Sequence, residues 1–428
     1  MARLVKTLLA GLALSAVIQG ASLGTAMAQD EAAPGGSEFR RDRNLSVQQR
    51  VPEAYRSLGV KWGGFTAWPR VQVDLESTDN VFYTPSNKQS DLIVRVRPEL
   101  GLKSNWSRHR LGALARVGAS YYADHNDESN TEWLLNGSGR YDIVGATNLF
   151  GSYTVNQGYD QRGEEPSLAR AVEPVKYFGQ SGDLGVDVVG NRLRVIGKAS
   201  FQKLDYDNVR DFDGNIIDQN HRDRTETRGL VRGEYAVSPD TSVYLYYEAN
   251  QREYDRFGAL RDSDGYDAGI GASFDLSRLV RGEVQVGQYK QSYENGSYSD
   301  AKGSSYRGKV EWFPTQLTTV GFHGSRAVYE TPEIGSSGYV SSVLGVSVDH
   351  ELRRNIILSA AYSRADNEYN EFDREDERAR VDLAVRYRMN RKVAIVGGYT
   401  YNDLSSSGAQ QVPSYKNNTL KLSLTVAY

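Results

Sequence analysis

Histidine is the usual acid, base and metal ligand near neutral pH, so the five histidines are the first candidates for chemistry. His109, His125, His221, His323 and His350 are scattered along the chain, and no two fall at metal-ligand spacing on a shared face. His323-Gly324-Ser325 hints at an outer-membrane phospholipase, but the residues around it do not match that enzyme's histidine and serine motifs. Glycine-rich phosphate loops, HExxH and GxSxG are absent. Cys is 0, which excludes thiolate metal sites, cysteine nucleophiles and disulfide scaffolds. Asp211-Phe212-Asp213-Gly214-Asn215 looks like part of a calcium loop, yet Val209 stands where the first ligand belongs and no flanking helices are evident. It reads better as a turn in an exposed loop. The expectation is therefore a protein that is not an enzyme and has no metal and no cofactor.

What remains is a set of cations and tyrosines that share one face. Where the pattern can be phased, Arg192, Arg194, Lys198, Arg228, Arg232, Arg380, Arg386 and Arg388 lie opposite the apolar residues, with fewer acids (Asp74, Glu76, Glu234, Asp267, Asp275 and Asp382) beside them. Such a face predicts a water-filled wall that concentrates anions, and arginine's planar fork suits carboxylates. Most of the 28 tyrosines are expected in interfacial girdles, while Tyr244, Tyr246 and Tyr289 are inward candidates for stacking on sugars.

The elements that position these residues are strands. Leu111, Ala113, Ala115, Val117, Ala119 and Tyr121 alternate with polar or small residues, as do Tyr266, Ala268, Ile270, Ala272, Phe274 and Leu276. No sustained stretch supplies the i, i+3, i+4, i+7 pattern of an amphipathic helix. The rhythm predicts about 18 strands from residue 60 to the end, the first at 60–78 and others at 339–349, 378–389, 392–403 and 415–428. Connections alternate between short (Gly190-Asn191, Asn390-Arg391) and long (158–176, 207–223, 366–377), the pattern of an outer-membrane barrel whose tight turns face the periplasm. Apolar residues are only 39%, and no run of about 20 apolar residues follows the N-terminus, which excludes a polytopic helical membrane protein but not a barrel. The fold class expected is all-β, a transmembrane antiparallel up-and-down β-barrel closed because hydrocarbon leaves no partner for a free edge.

Arg3 and Lys6, the apolar stretch 7–18 and Ala26-Met27-Ala28 read as a signal peptide over 1–28. Residues 29–57 are polar and read as a flexible periplasmic segment, leaving 58–428 for the barrel. A formal net charge of −3 gives no reason to expect a nucleic-acid partner. The long loops carry an acidic block at Glu371, Asp373, Glu375, Asp376 and Glu377, expected to bind divalent cations or to repel polyanion at the exit. In the last strand Leu420, Leu422, Leu424, Val426 and Tyr428 alternate with polar or small residues; this resembles the C-terminal assembly signal of outer-membrane proteins, with Tyr428 as its aromatic.

Arg50-Val51-Pro52-Glu53-Ala54-Tyr55, Leu58-Gly59-Val60-Lys61-Trp62-Gly63-Gly64-Phe65, Trp68-Pro69 and Asp79-Asn80-Val81-Phe82 together resemble the opening signature of an outer-membrane β-barrel porin family associated with exopolysaccharide and capsule biosynthesis. Ser90-Asp91, Pro98-Glu99-Leu100 and Asn105-Trp106-Ser107-Arg108-His109 resemble it too. Val51 and Ala54 depart from it, since members often carry Arg or Pro and an acidic residue there. The resemblance implies passage of an exopolysaccharide or capsular polysaccharide through the outer membrane of a Gram-negative bacterium. Its implied partners are the polysaccharide, outer-membrane lipid, the barrel insertion machinery and periplasmic polysaccharide export proteins. A general diffusion porin for small solutes has the same strands and is the alternative.

Overall fold

The computed structural model describes residues 45–163, 171–255, 261–277 and 279–428; the signal peptide expected over 1–28 and most of the segment 29–57 lie outside them. The strands are β1 Val60–Trp62, β2 Phe65–Thr78, β3 Asp91–Ser104, β4 Arg110–Tyr122, β5 Asn130–Asp142, β6 Asn148–Tyr159 and β7 Lys176–Val189. They continue with β8 Leu193–Tyr206, β9 Val209–Arg210, β10 Ile216–Ile217, β11 Arg224–Ser238, β12 Thr241–Tyr254, β13 Ser263–Leu276 and β14 Val280–Tyr293. The last are β15 Ala301–Thr315, β16 Thr318–Tyr329, β17 Tyr339–Arg353, β18 Ile356–Tyr369, β19 Glu375–Arg388, β20 Val393–Ser407 and β21 Tyr415–Ala427.

Apart from the small pieces β1, β9 and β10, each strand pairs antiparallel with its sequence neighbours, and β21 returns to β2 in a register running from Arg70↔Ala427 to Thr78↔Thr419. The result is a closed 18-stranded antiparallel barrel. Closure satisfies the edges that would otherwise face lipid.

Alternation produces an inside-out molecule. Leu245 is 66% and Leu420 62% exposed on the outer face, whereas Asp74, Asp275 and Asp376 on the inner face are fully buried. The hydrophobic rows meet lipid, and ion pairs and tyrosines fill the wall side of the lumen.

Two expectations on boundaries are corrected. The first strand does not run unbroken from 60: Gly63, in the left-handed region at φ 56°, turns β1 back onto β2, pairing Trp62 with Phe65. Several strands also run further towards the long loops, with β20 reaching Ser407 and β19 starting at Glu375. Above the bilayer both faces of a strand are wet, so the ladder continues after the apolar alternation has stopped.

Candidate functional site

The inner wall is the candidate site. On β8, Arg194 is only 2% exposed and grips Asp187 of β7 at 2.8 and 2.6 Å through two nitrogens, with Glu234 of β11 at 3.8 Å. Arg232 continues this row, 3.5 Å from Glu234 and 2.8 Å from Glu283 of β14. Lys198 meets Asp183 at 3.2 Å. Arg228 and Arg252 share Glu226 at 2.6 and 2.9 Å. Across the barrel Arg380 meets Asp382 at 2.8 Å, Arg97 and Lys421 hold Asp74, and Glu99 lies between Arg70 and Arg116 at 3.6 and 2.7 Å.

The expected inward cations do face the lumen, with one exception, but the expected excess of positive charge is offset. Asp183, Asp187, Glu226, Glu283 and Glu99 sit on the same wall and pair with them. Their face is hard to phase in strands such as β7 and β14, where glycines fall in both rows, Gly182 and Gly282 in the outer and Gly179, Gly185 and Gly287 in the inner. The exception is Arg192. It lies in the tight turn between β7 and β8, and its guanidinium is 3.5 Å from the hydroxyl of Tyr235, an outer-face residue 43% exposed.

Tyr244 and Tyr246 also point inward, but they are not free stacking platforms. The guanidinium of Arg232 covers the Tyr244 ring at 3.4 Å from its centroid, and the hydroxyl donates to Glu283 at 3.1 Å. Tyr246 donates to Asp267 at 3.1 Å. The Tyr244 ring lies over Gly271 of the neighbouring β13, where a Cβ would stand 2.2 Å from its Cζ, and the Tyr246 hydroxyl reaches over β13 to Gly287 of β14, so these close approaches need the missing side chains. Tyr289 is likewise buried, above Gly303.

Both mouths are narrowed. At the long-loop end the chain after β6 turns inward: Arg162 pairs with the buried Glu128 at 2.6 Å, and the Gly163 carbonyl accepts from Arg378 of β19 at 2.6 Å and from the Tyr415 hydroxyl of β21. Arg222 meets Asp160 at 2.9 Å, and His221 Nε2 lies 2.9 Å from the Pro332 carbonyl, joining the loops 207–223 and 330–338.

At the short-turn end residues 46–50 form a strap against the inner wall. Val47 is 1% exposed and its amide donates to Thr319 Oγ1 at 3.0 Å. Gln48 reaches Asp349, Ser359 and Arg386, and Arg50 pairs with Glu351 at 3.0 Å. Arg388 is buried nearby. Sequence reasoning missed Gln48, Asp349 and Ser359 as a group; a polar run with a single Val47 carries no periodicity by which to place it.

The acidic block does not act as a unit. Asp376 faces in, bound to Arg374 at 2.6 Å; Glu377 faces out, 2.8 Å from Arg364; Glu371 accepts from the amides of Ser299 and Ser337 at 2.9 and 2.8 Å. Alternation along β19 separates Asp376 from Glu377, Glu371 lies in the loop before that strand, and among the described residues no group of three or more His, Asp or Glu is arranged to hold a metal ion. Asp211 turns its carboxylate back on its own loop, accepting from the amides of Asp213 and Asn215 at 2.9 and 2.8 Å, which is the exposed turn expected. Tyr428 is tied to the barrel rim: its amide donates to Pro69 O at 3.1 Å and its carbonyl accepts from Gly59 at 3.1 Å.

A closed barrel with an apolar outer belt, a charged lumen and inward-folded mouths is an outer-membrane porin. Residues 52–428 match the family described as Putative beta-barrel porin 2, and the chain belongs to that family. Its location is the outer membrane of a Gram-negative bacterium. No curated protein matches it. Similar solved structures include Acinetobacter baumannii OccAB2, at 10% identity over 85% of this chain and 98% of that one, with a TM-score of 0.46. OccAB3 of the same species shows 11% identity over 86% and 100%, TM-score 0.46. Pseudomonas aeruginosa OpdK, solved with vanillate, shows 9% identity over 85% and 99%, TM-score 0.44.

Proposed function

We propose that this protein is a diffusion channel for small polar solutes across the outer membrane. The observation that carries the reading is the lumen itself. It is lined by ion pairs, and it is narrowed at one end by the contact of Gly163 with Arg378 and at the other by the strap through Val47 and Gln48. Fixed charges of both signs along a wet wall hold polar solutes without trapping them, because each cation keeps a nearby acid as a competing partner. Obstructions at both mouths favour single small molecules over a polymer. The polysaccharide cargo implied by the sequence resemblance has no counterpart in the description of the matched family, which is a barrel porin and nothing more.

Liposome swelling with a graded series of neutral sugars tests the reading. Fast swelling with pentoses that falls steeply towards tetrasaccharides is the expected result. Absence of swelling with any of them, together with loss of surface polysaccharide when the gene is deleted, would return the assignment to polymer export.

A further inference from the structure

The contacts of Gln48 are those of a ligand. Its carboxamide places an acceptor and a donor on one carbon: Oε1 accepts from Arg386 Nη1 at 3.0 Å, while Nε2 donates to Asp349 Oδ1 at 2.7 Å and Ser359 Oγ at 2.9 Å. Ser359 in turn donates to Asp349 Oδ1 at 2.6 Å, which orients the carboxylate. The wall supplies this set from three adjacent strands, with Asp349 of β17 directly opposite Ser359 of β18 and Arg386 of β19 opposite Ile357. A cation and an anion therefore stand side by side, and the group between them is neutral.

We propose that Arg386, Asp349 and Ser359 form a binding site for small zwitterions, compounds carrying a carboxylate and an ammonium a few ångströms apart, and that Gln48 is its tethered occupant. The proposal rests on the reading of the protein as a small-solute channel. A zwitterion offers its carboxylate to Arg386 and its ammonium to Asp349 and Ser359. The bonds to Arg386 and Asp349, which with the carboxamide are charged at one end only, become charged at both, and the bond to Ser359 becomes charge-assisted. The carboxamide holds the site because it is tethered. Val47 is anchored on Thr319 and Arg50 on Glu351, on either side of Gln48, so its effective concentration at the site is that of an intramolecular group. A solute in transit displaces Gln48 and takes its place against the wall at the short-turn mouth.

Titration calorimetry on the folded, detergent-solubilised protein tests this, with glycine, acetate and methylammonium as probes. Gln48→Ala is expected to bind glycine at least tenfold more tightly than the parent protein, and to bind acetate and methylammonium at least tenfold more weakly than glycine. Adding Asp349→Asn to that variant is expected to abolish glycine binding. Gln48→Met, which keeps the bulk and loses the hydrogen bonds, gives the same shift if the effect is release of the site rather than loosening of the barrel; heat-modifiable migration on gels verifies folding in each case. Equal or absent glycine binding in the parent and both Gln48 variants overturns the proposal, as does a Gln48→Ala protein indifferent to Asp349→Asn. Swelling of liposomes made from the same preparations separates the two levels: swelling without a glycine site rejects the site alone, and absence of swelling rejects the channel.

Discussion

Arg194 shows what a charge on this inner wall requires. It is almost wholly buried between Asp187 and Glu234, and removing one partner of such a set leaves carboxylates without their counter-charge, at a cost of about 3–5 kcal/mol. Arg194→Met is therefore expected to lower the urea midpoint of unfolding in detergent, and Asp187→Asn combined with it to recover part of the loss. An unchanged midpoint in the single variant would mean that water screens the cluster. Gly271 makes a steric demand of the same kind. With Tyr244 Cζ 2.2 Å from where its Cβ would be, Gly271→Val should expel the ring, break the bond from Tyr244 to Glu283 and reduce the heat-stable folded fraction on gels, while Gly233→Val, with open space around it, should not.

Among the elements, β21 and the loop pair at the long-loop mouth carry the clearest consequences. Leu424 lies on the outer face of β21, opposite Val73 and Ile395. Leu424→Arg places a charge in hydrocarbon, about 2–4 kcal/mol at mid-bilayer, and should reduce folding into lipid vesicles far more than Thr425→Arg, one residue on and facing the lumen. Equal yields would show that the phase of the strand is wrong. In the loops, burial, with Arg261 and Arg222 nearby, holds the His221 imidazole below its ordinary value despite the contact with Pro332 O. A depressed value means that the docked loop favours the neutral ring. The contribution is present above about pH 6.5 and is lost as the pH falls through the lowered value. Cleavage of 330–338 by a broad-specificity protease, normalised to a control peptide, should rise on acidification from neutrality, and His221→Gln should remove that pH dependence.

At the scale of the whole molecule, the unequal turn lengths give the expected orientation. The short turns face the periplasm and the long loops face outward, so an epitope at Gly214 should be open to protease on intact cells and one at Arg354 should not. The reverse pattern would invert the barrel and place the strap at the outer mouth. The strap ties residues of β16, β17, β18 and β19 together, so truncation before Pro52 should raise the rate of liposome swelling while the barrel still assembles through its remaining pairings. Assembly itself is proposed to depend on Tyr428. Its backbone joins Pro69 and Gly59 at the seam, and Lys392 Nζ lies 4.1 Å from its ring centroid; Tyr428→Asp should lower surface levels.

The strand rhythm, the number of barrel strands, the alternation of turn lengths and the outer-membrane setting are all legible in the chain. Each is a local property: a period of two follows from backbone geometry, and a lipid-facing row has to be apolar wherever it occurs. The inward direction of Arg194, Arg232 and Tyr244 is legible for the same reason. Their partners are not. Asp187 and Glu99 lie on strands next to those of their cations and Glu283 three strands from Arg232, and which residues meet depends on the register of the pairs and on the curl of the sheet. The tertiary structure also decided that Arg192 belongs to the turn, that the acidic block is divided between two faces, and that Gln48 docks against Asp349, some 301 residues away in sequence. No periodicity encodes a contact of that range; it exists only once the sheet has curled far enough for the strap to meet the wall.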